Sequence, residues 1–387
     1  MRFVRFIHTA DWHIGRLFCG RHLTEDQSWL LDEFLKLVAD SRVDAVVIAG
    51  DIYDRAVPPT EAVELFDEIL SRLLLELRVK VFFIAGNHDS AQRLGFASRI
   101  LTQQGLFVGA QLESGLEPVC LQDVYGPVYF QLYPYMEPAM VRAVFGQEKL
   151  MDFDAATGYV IGQGRSRIPA GARCVAIAHA FLAGGQSADS ERPLMVGGSS
   201  NVSPAWFRGY TYTALGHLHS PQQAGAASVR YSGSLMKYSF SEAAQKKGVY
   251  VVDLDGAGNV QTDFLPLTPK RDLRRVSGYF DTILQDREAY PYSEDYMQIE
   301  LLDTAPILDA QSRLRTVYPN FLDIRRTGLE RSGELQLHGR EYQNQSEQEL
   351  FQSFFAEMTG EAMKDEEQKV LQASLAEVFR GMREGKA

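Results

Sequence analysis

The sequence predicts an α/β fold built on a parallel sheet, because three apolar runs of strand length alternate with two amphipathic helical segments near the N-terminus. Residues 3–8, 43–49 and 79–85 form the runs, and they are mostly apolar without strict alternation, as is typical of strands buried on both faces. A β-α-β-α-β order of this kind indicates a parallel sheet covered by helices.

Two helices are predicted between these runs. The first is expected to begin with Thr24 as its N-cap, because Gln27 follows three residues later, as in a capping box. The second is expected to open at Pro58, Pro59 and Thr60, since proline is favoured in the first turn. Apolar residues recur at helical spacing in both segments, which indicates that one face of each helix packs on the sheet.

The middle of the chain predicts further strands at 174–178, 210–215, 229–232 and 248–254. Asp255 and Gly256 follow the last of these and indicate a hairpin turn. A stretch rich in glycine and serine, residues 184–203, is expected on the surface, either as a connector or as a loop that faces the substrate. We therefore expect a first domain that spans residues 1–268.

Two smaller units are predicted after this domain. Residues 269–345 contain strand-like and helix-like runs, which indicate a small α+β domain. Residues 346–387 predict two helices with apolar stripes, which are expected either to dock on the chain's own domain or to bind a partner. The stripes consist of Leu350, Phe351, Phe354, Phe355 and Met358, and of Val370, Leu371, Leu375, Val378, Phe379 and Met382.

The composition narrows the class of protein. A net charge of -11 argues against bulk electrostatic attraction to nucleic acid, so any polyanion must meet a local patch, a bound metal or a partner. Three cysteines without metal-site spacing indicate reduced thiols. No apolar run approaches the ~20 residues that span a bilayer, and the N-terminus lacks the apolar length of a signal peptide. We expect a soluble cytoplasmic protein that does not associate with a membrane.

Five short polar segments follow or end the predicted strands, and they hold five of the eight histidines. Side chains at the carboxyl ends of neighbouring strands converge in space, whatever their separation in sequence. The segments are Asp11-Trp12-His13, Gly50-Asp51-Ile52-Tyr53-Asp54, Gly86-Asn87-His88-Asp89, His179, and Gly216-His217-Leu218-His219.

The chemistry of these segments predicts a site for two divalent metal ions. Asp51 has two carboxylate oxygens that can bridge two cations, and Asn87 offers a neutral oxygen. Oxygen and imidazole ligands without a thiolate suit manganese or iron(II) better than a structural zinc site. Such a pair can activate water for attack at phosphorus. The predicted ligands are Asp11, His13, Asp51, Asn87, His179, His217 and His219.

A lone histidine is more often a satisfied core residue than a ligand, and we expect that plain role for His8, His22 and His338. His88 is predicted to be catalytic, because a residue adjacent to the ligand Asn87 points away from the same metal. It is expected to donate a proton to the leaving oxygen or to stabilise the transition state.

Neighbouring residues are predicted to support these groups. Asp89 is expected to orient the His88 ring, and Asp54 is expected to accept a hydrogen bond that fixes the orientation of a ligand. Arg16, Arg21 and Arg93 follow the first and third segments. They are candidates for contacts to DNA phosphates, although a solvated surface role is the commoner one for arginine.

The five segments in this order resemble those of the calcineurin-like metallophosphoesterases. Within that superfamily the chain resembles the SbcD family of bacterial nuclease subunits, through residues 8–15, 86–90 and 214–219 and through the serine- and tyrosine-rich stretch 231–242. The resemblance implies a sandwich of two sheets flanked by helices. It implies one metal on Asp11, His13, Asp51 and His219, another on Asp51, Asn87, His179 and His217, and His88 as the transition-state residue.

The resemblance also implies an activity and partners. It implies a manganese-dependent 3'-to-5' exonuclease on double-stranded DNA that also cuts hairpins and single strands as an endonuclease, in DNA replication, repair and recombination. The small domain would be a cap that positions DNA, and the terminal helices would dock on the coiled coil of an SbcC-type ATPase. A homodimer within a heterotetramer is implied in the same way.

Two other functions remain open at this stage. A phosphatase or cyclic-nucleotide phosphodiesterase could use the same metal centre, because the centre does not select its substrate. A non-catalytic scaffold with the same fold should have lost ligands, whereas every expected ligand is present.

Overall fold

The structure, a computed structural model, describes residues 3–191, 200–291, 294–305 and 307–326, together with 348, 351–352, 355–356, 362–365 and 367–374. The chain divides into two compact units, Met1–Leu273 and Arg274–Ala387. Most of the predicted helical pair at 346–387, including Leu375, Val378, Phe379 and Met382, and also His338, lie outside the described residues. The predicted boundaries at 268 and 345 stay predictions.

The first unit contains two six-stranded sheets. The strands of the first sheet are β1 (Val4–Thr9), β4 (Ala45–Ile48), β5 (Lys80–Ile84), β6 (Leu106–Gly109), β13 (Gly248–Leu254) and β14 (Val260–Pro266). Their order is β14-β13-β1-β4-β5-β6, in which β1, β4, β5 and β6 are parallel and β13 is antiparallel to β1. The predicted parallel arrangement and the hairpin after Leu254 are confirmed.

The second sheet is also largely parallel. Its strands are β7 (Val119–Asp123), β8 (Gly126–Tyr133), β9 (Arg173–His179), β10 (Tyr212–Gly216), β11 (Gln222–Ala224) and β12 (Ala226–Tyr231). Their order is β11-β12-β10-β9-β8-β7, with β8, β9, β10 and β12 parallel. A separate short ribbon, β2 (Leu17–Phe18) with β3 (Arg21–His22), follows the first polar segment.

Helices cover the outer faces of the two sheets. The helices of this unit are α1 (Thr24–Ser41), α2 (Thr60–Ser71), α3 (Ala91–Leu94), α4 (Ser98–Leu101), α5 (Leu112–Gly115), α6 (Pro138–Phe145) and α7 (Phe153–Arg165). The Phe34 ring of α1 lies 5.5 Å from Trp12, and the Phe66 ring of α2 lies 5.7 Å from Phe83. Val160 of α7 joins the core on the outer face of the second sheet.

The inner faces of the sheets enclose an apolar core. Phe6 and Phe82 from the first sheet meet Phe130, Val175 and Tyr212 from the second. The Phe82 and Phe130 rings stack at 4.6 Å, which fixes the two sheets face to face. The resulting α/β/β/α sandwich confirms the predicted fold class.

The second unit has its own small core. Its sheet consists of β15 (Leu273–Gly278), β16 (Tyr296–Leu301) and β17 (Phe321–Arg325), with β16 in the centre. Two helices, α8 (Phe280–Gln285) and α9 (Ala310–Val317), cover it. Ile283, Ile299 and Leu314 are fully buried there.

One local prediction is wrong. Thr24 is the first residue of α1 rather than its N-cap, and no side chain caps this helix. The Gln27 side chain instead donates to the carbonyl oxygens of Trp12 and His13 and accepts from the Gly15 N–H. Gln27 therefore supports the first polar segment and not its own helix.

Candidate metal centre

The five polar segments meet at one edge of the sandwich. Asp11 follows β1, Asp51 follows β4, Asn87 follows β5, His179 ends β9, and His217 follows β10. These strands are parallel within each sheet, so their carboxyl ends share an edge. The predicted convergence of the polar segments is what the structure shows.

Asp51 lies at the middle of the cluster. Its Oδ1 accepts the backbone N–H of His88 at 2.9 Å, which fixes the rotation of the carboxylate. Its Oδ2 then lies 3.4 Å from His179 Nε2, 3.7 Å from His13 Nε2 and 3.9 Å from His88 Nε2. One oxygen therefore faces ligands from both sheets.

Donor atoms gather on either side of this oxygen. On one side, Asn87 Oδ1 lies 2.9 Å from His179 Nε2 and 3.2 Å from His217 Nδ1. His179 is oriented by its other ring nitrogen, Nδ1, which lies 2.9 Å from the carbonyl oxygen of Ala49. This second contact leaves Nε2 to face Asp51 and Asn87.

On the other side, the Nε2 atoms of His13 and His219 lie 3.0 Å apart. Asp11 belongs to the same group of mutually close ligand atoms. The Asp11 carboxylate also accepts the backbone N–H of His217 with both oxygens, at 2.9 and 3.1 Å. Asp11 therefore joins the two halves of the cluster.

The backbone at these residues is unusual. Asp11, His13, Asp51 and His217 have φ angles of 54°, 45°, 51° and 107°, in the region that side chains other than glycine rarely adopt. Such conformations cost about 1–3 kcal/mol each and persist where surrounding contacts enforce them. At Gly86 a Cβ would overlap the Asp51 carboxylate, which explains the glycine in that segment.

Burial and charge set the protonation of the ligands. Burial opposes ionisation of Asp51, but the surrounding imidazoles, His179 foremost, lower its pKa well below the usual value. Burial also opposes protonation of His179, yet the Asp51 charge and hydrogen bond raise its pKa to about 9. Burial lowers the pKa of His13 strongly and, together with the His179 charge, that of His217 to about 3. Neutral imidazoles of this kind are good metal ligands.

The donor set fits divalent cations. Among the described residues, three overlapping groups of buried carboxylates and imidazoles have ligand atoms within 4.8 Å of one another. Two of them share Asp51 and two share Asp11. His13 Nδ1 is buried without a hydrogen-bond partner in the described part of the chain, and His13 Nε2 contacts another imidazole, that of His219. Carboxylate and imidazole donors with this spacing are those expected for a pair of cations.

The group that orients the His88 ring differs from the predicted one. The ring is only 3% exposed, and its Nδ1 lies 2.7 Å from the carbonyl oxygen of Asp54, which orients it. Asp89 does not orient this ring, because its carboxylate accepts the backbone N–H groups of Ile52, Tyr53 and Gly86. Asp89 therefore clamps the second polar segment to the third.

The Asp54 carboxylate binds Arg16 at 2.6 Å and lies 3.9 Å from His13 Nδ1. This ion pair holds Arg16 beside the centre, with its guanidinium 5.6 Å from the Tyr238 ring. At the neighbouring Asp89, burial and the charge of Asp51 raise the pKa to about 7, against the effect of its backbone hydrogen-bond donors. Arg21 and Arg93 are exposed, on β3 and α3.

The two other described histidines have structural positions. His8 is fully buried, with its ring nitrogens on Tyr212 and on the carbonyl oxygen of Leu215 at 3.0 and 3.1 Å. His22 is exposed on β3.

Sequence reasoning missed a buried polar group behind His219. It consists of Ser190 and Glu191 from the glycine- and serine-rich stretch, with Glu242 and Lys247. Tyr238 was also missed; its hydroxyl donates to the Trp12 carbonyl oxygen, and its ring packs 5.4 Å from His13. The tyrosine- and serine-rich stretch 231–242 is the feature of the sequence that could have indicated Tyr238 and Glu242.

Two family models match the chain. The calcineurin-like phosphoesterase model matches residues 4–134, and the SbcD C-terminal model, described as type 5 capsule protein repressor C-terminal domain, matches residues 269–359. The first match and the geometry of the site define the class as a metallophosphoesterase.

Relatives extend this similarity over nearly the whole chain. The D subunit of the nuclease SbcCD from Staphylococcus epidermidis is 32% identical over 92% of this chain and 94% of its own length. The protein of the same name from Staphylococcus saprophyticus is 29% identical over 95% and 97%. The chain belongs to the SbcD family of calcineurin-like phosphoesterases. The prediction of a metal-dependent phosphodiesterase is confirmed at the level of this class.

Solved structures are more distant. TT1561 of Thermus thermophilus and a dimetal phosphatase from Danio rerio each align with a TM-score of 0.37 and 14% identity, over 68% of this chain and 99% of theirs. The family assignment therefore rests on the sequence relatives. Among the described residues, no helix combines the length and apolarity needed to cross a membrane.

Proposed function

We propose that this protein is the nuclease subunit of an SbcCD-type complex and cleaves DNA phosphodiesters with two divalent metal ions. The observation that carries the proposal is the position of Asp51 Oδ2, which lies within 3.9 Å of imidazoles contributed by both sheets. A single carboxylate oxygen in that position can serve two cations at once. Nuclease activity is proposed because the relatives of this chain are named as nuclease subunits.

The proposed ligand sets follow the two sides of Asp51. One cation would bind Asp11, His13, Asp51 and His219, and the other would bind Asp51, Asn87, His179 and His217. The contacts between His13 and His219 and between Asn87 and His179 support this division. A donor set of oxygen and imidazole without a thiolate favours Mn²⁺.

His88 would act on the substrate. Bound cations would polarise the phosphoryl oxygen and lower the pKa of a water. With Nδ1–H donating to the Asp54 carbonyl oxygen, His88 Nε2 faces the cluster, and in the doubly protonated ring it can donate to the phosphoryl oxygens or to the leaving oxygen. The left-handed backbone at Asp11, His13 and Asp51 would hold the ligands in place before the substrate binds.

DNA contacts and partners form the rest of the proposal. Arg16, Arg21 and Arg93 would contact the DNA backbone beside the centre, because the acidic chain as a whole does not attract DNA. Residues 269–345 would position DNA ends, and 346–387 would dock on an SbcC-type coiled-coil ATPase. A homodimer within a heterotetramer, in the cytoplasm, completes the arrangement.

The activity is tested by comparing substrates. Protein loaded with Mn²⁺ should degrade blunt duplex ends from the 3' side and cut hairpins faster than it hydrolyses a chromogenic phosphodiester or a cyclic nucleotide. The assay should be run with and without the ATPase partner. A preference for the small phosphodiester in both conditions would favour the phosphatase or cyclic-nucleotide alternative.

The docking of the partner is tested separately. Val370 is 67% exposed and Phe351 is 44% exposed, so both offer apolar surface. Charged substitutions at Val370 and Phe351 should reduce co-purification with the ATPase, whereas charged substitutions at Met151 (70% exposed) should not. Equal co-purification of all variants would contradict docking through these residues.

A further inference from the structure

A chain of buried polar groups runs behind His219. Ser190 Oγ lies 2.7 Å from His219 Nδ1 and 2.5 Å from Glu242 Oε1. The direct distance from His219 Nδ1 to Glu242 Oε1 is 3.6 Å, too long for a hydrogen bond. The serine hydroxyl is therefore the bridge between the ring and the carboxylate.

The charge of Glu242 decides which group donates in this chain. Its Oε2 forms an ion pair with Lys247 Nζ at 2.6 Å, in a fully buried position. An ionised carboxylate can only accept hydrogen bonds. The single proton of the Ser190 hydroxyl must therefore go to Glu242, since Glu242 has none to give.

The tautomer of His219 follows from this order. Ser190 Oγ donates its one proton to Glu242, so it can only accept a hydrogen bond from His219 Nδ1. Neutral His219 then carries its proton on Nδ1 and a lone pair on Nε2. That lone pair faces His13 Nε2, 3.0 Å away, within the group that also contains Asp11.

We infer that Ser190 is a positioning residue of the metal centre: with Glu242 behind it, its hydroxyl fixes the His219 tautomer and presents Nε2 to a cation. The inference rests on the proposed function, because it takes His219 as a ligand. A hydrogen bond from the non-ligating nitrogen of a histidine to a protein acceptor is the general means of orienting such a ligand.

The same cluster also holds the His219 backbone. Lys247 Nζ donates to the His219 carbonyl oxygen at 2.7 Å, and the His219 N–H donates to Glu191 Oε1 at 2.6 Å. Ser190 and Glu191 belong to the stretch 184–203, for which the sequence left a connector and a substrate-facing loop open. Residues 190–191 have a third role, because they support a ligand from behind.

The first test is the affinity for Mn²⁺. In the full-length protein, Ser190→Ala should weaken Mn²⁺ binding, measured by isothermal titration calorimetry, by about 10–100-fold, the usual effect of losing such a partner. Ser166→Ala is the matched control, because that hydroxyl donates to the Gln163 carbonyl oxygen at the exposed end of α7. Thermal unfolding of the metal-free variants would show that both fold.

The second test reads the tautomer directly in metal-free protein. In ¹⁵N-histidine-labelled protein, long-range ¹H–¹⁵N spectra should show His219 protonated at Nδ1, assigned by the loss of its signals in His219→Gln. Ser190→Ala should lose this preference. An Nε2-protonated ring in the wild type would overturn the inference, as would Ser190→Ala that binds Mn²⁺ as tightly as Ser166→Ala. Wild-type protein that binds no Mn²⁺ would refute the proposed function, whereas the spectra would still decide the tautomer.

Discussion

His13 and His219 face each other on one side of the metal centre, but the structure supports their rings in opposite ways. The Nδ1 of His219 bonds Ser190, which Glu242 and Lys247 hold in a buried charged cluster. The Nδ1 of His13 has no hydrogen-bond partner among the described residues and lies 3.9 Å from the Asp54 carboxylate.

The difference shows two ways of placing a ligand. His219 is oriented by side chains behind its ring. Because the charges of Glu242 and Lys247 are buried, removing one of them should destabilise the protein strongly. His13 is oriented through its backbone, with φ at 45° and its carbonyl oxygen held by Gln27 at 2.8 Å. His13 should therefore tolerate loss of the groups behind its ring better than His219 does.

The largest effect is expected at Asp51, the carboxylate that both proposed cation sites share. Asp51→Asn should remove both cations and lower phosphodiester cleavage by about 10³-fold or more, because the amide supplies only one oxygen and no charge. Metal content measured by mass spectrometry would show the loss. Asp263→Asn, on an exposed position of β14, is the control. Retention of one full equivalent of metal would show that the two sites bind their cations independently of each other.

The contrast between the supports of His13 and His219 can be measured as stability. Lys247→Met leaves the buried Glu242 charge without its partner and should destabilise the metal-free protein by about 3–5 kcal/mol. Asp54→Ala removes a partly exposed ion pair with Arg16 and should cost about 1 kcal/mol or less. Denaturant unfolding of both variants gives the comparison. Equal losses would mean that His13 is supported as firmly as His219.

His88 separates chemistry from metal binding. His88→Leu should keep both cations, because His88 belongs to neither proposed ligand set and its ring is held by the Asp54 carbonyl oxygen. Cleavage of DNA should fall by about 10²-fold, the scale for a positioned proton donor. Calorimetry with Mn²⁺ and a turnover assay on the same preparation would check both points. Loss of a cation in this variant would make His88 a ligand.

Metal binding should also depend on pH. In the metal-free protein the pKa of His179 is raised to about 9, so the ring is protonated at neutral pH and a cation must displace that proton. Mn²⁺ affinity should rise about tenfold per pH unit up to that pKa. Without metal, the stability from this proton is complete below the unfolded pKa of about 6.5 and is lost as pH rises through about 9. Calorimetry between pH 6.5 and 8.5 that shows a constant affinity would contradict this.

The sequence predicted the convergence of the polar segments well and the groups that support them poorly, for physical reasons. Asp51 and His179 stand at the ends of apolar strands, and parallel strands bring such ends together. Ser190 and Glu242 are 52 positions apart on irregular segments, and neither residue type signals a metal centre by itself. Gln27 occupied a plausible capping position, but the nearby carbonyl oxygens offered it better partners.

The most direct test of the account is a crystal structure of the protein with Mn²⁺, with anomalous data collected at the manganese edge. We predict two anomalous peaks about 3.5–4 Å apart on either side of Asp51 Oδ2. One should contact His13 and His219 through Nε2, and the other should contact Asn87 Oδ1 and His179 Nε2. A single peak, or two peaks that do not share the Asp51 carboxylate, would contradict the account.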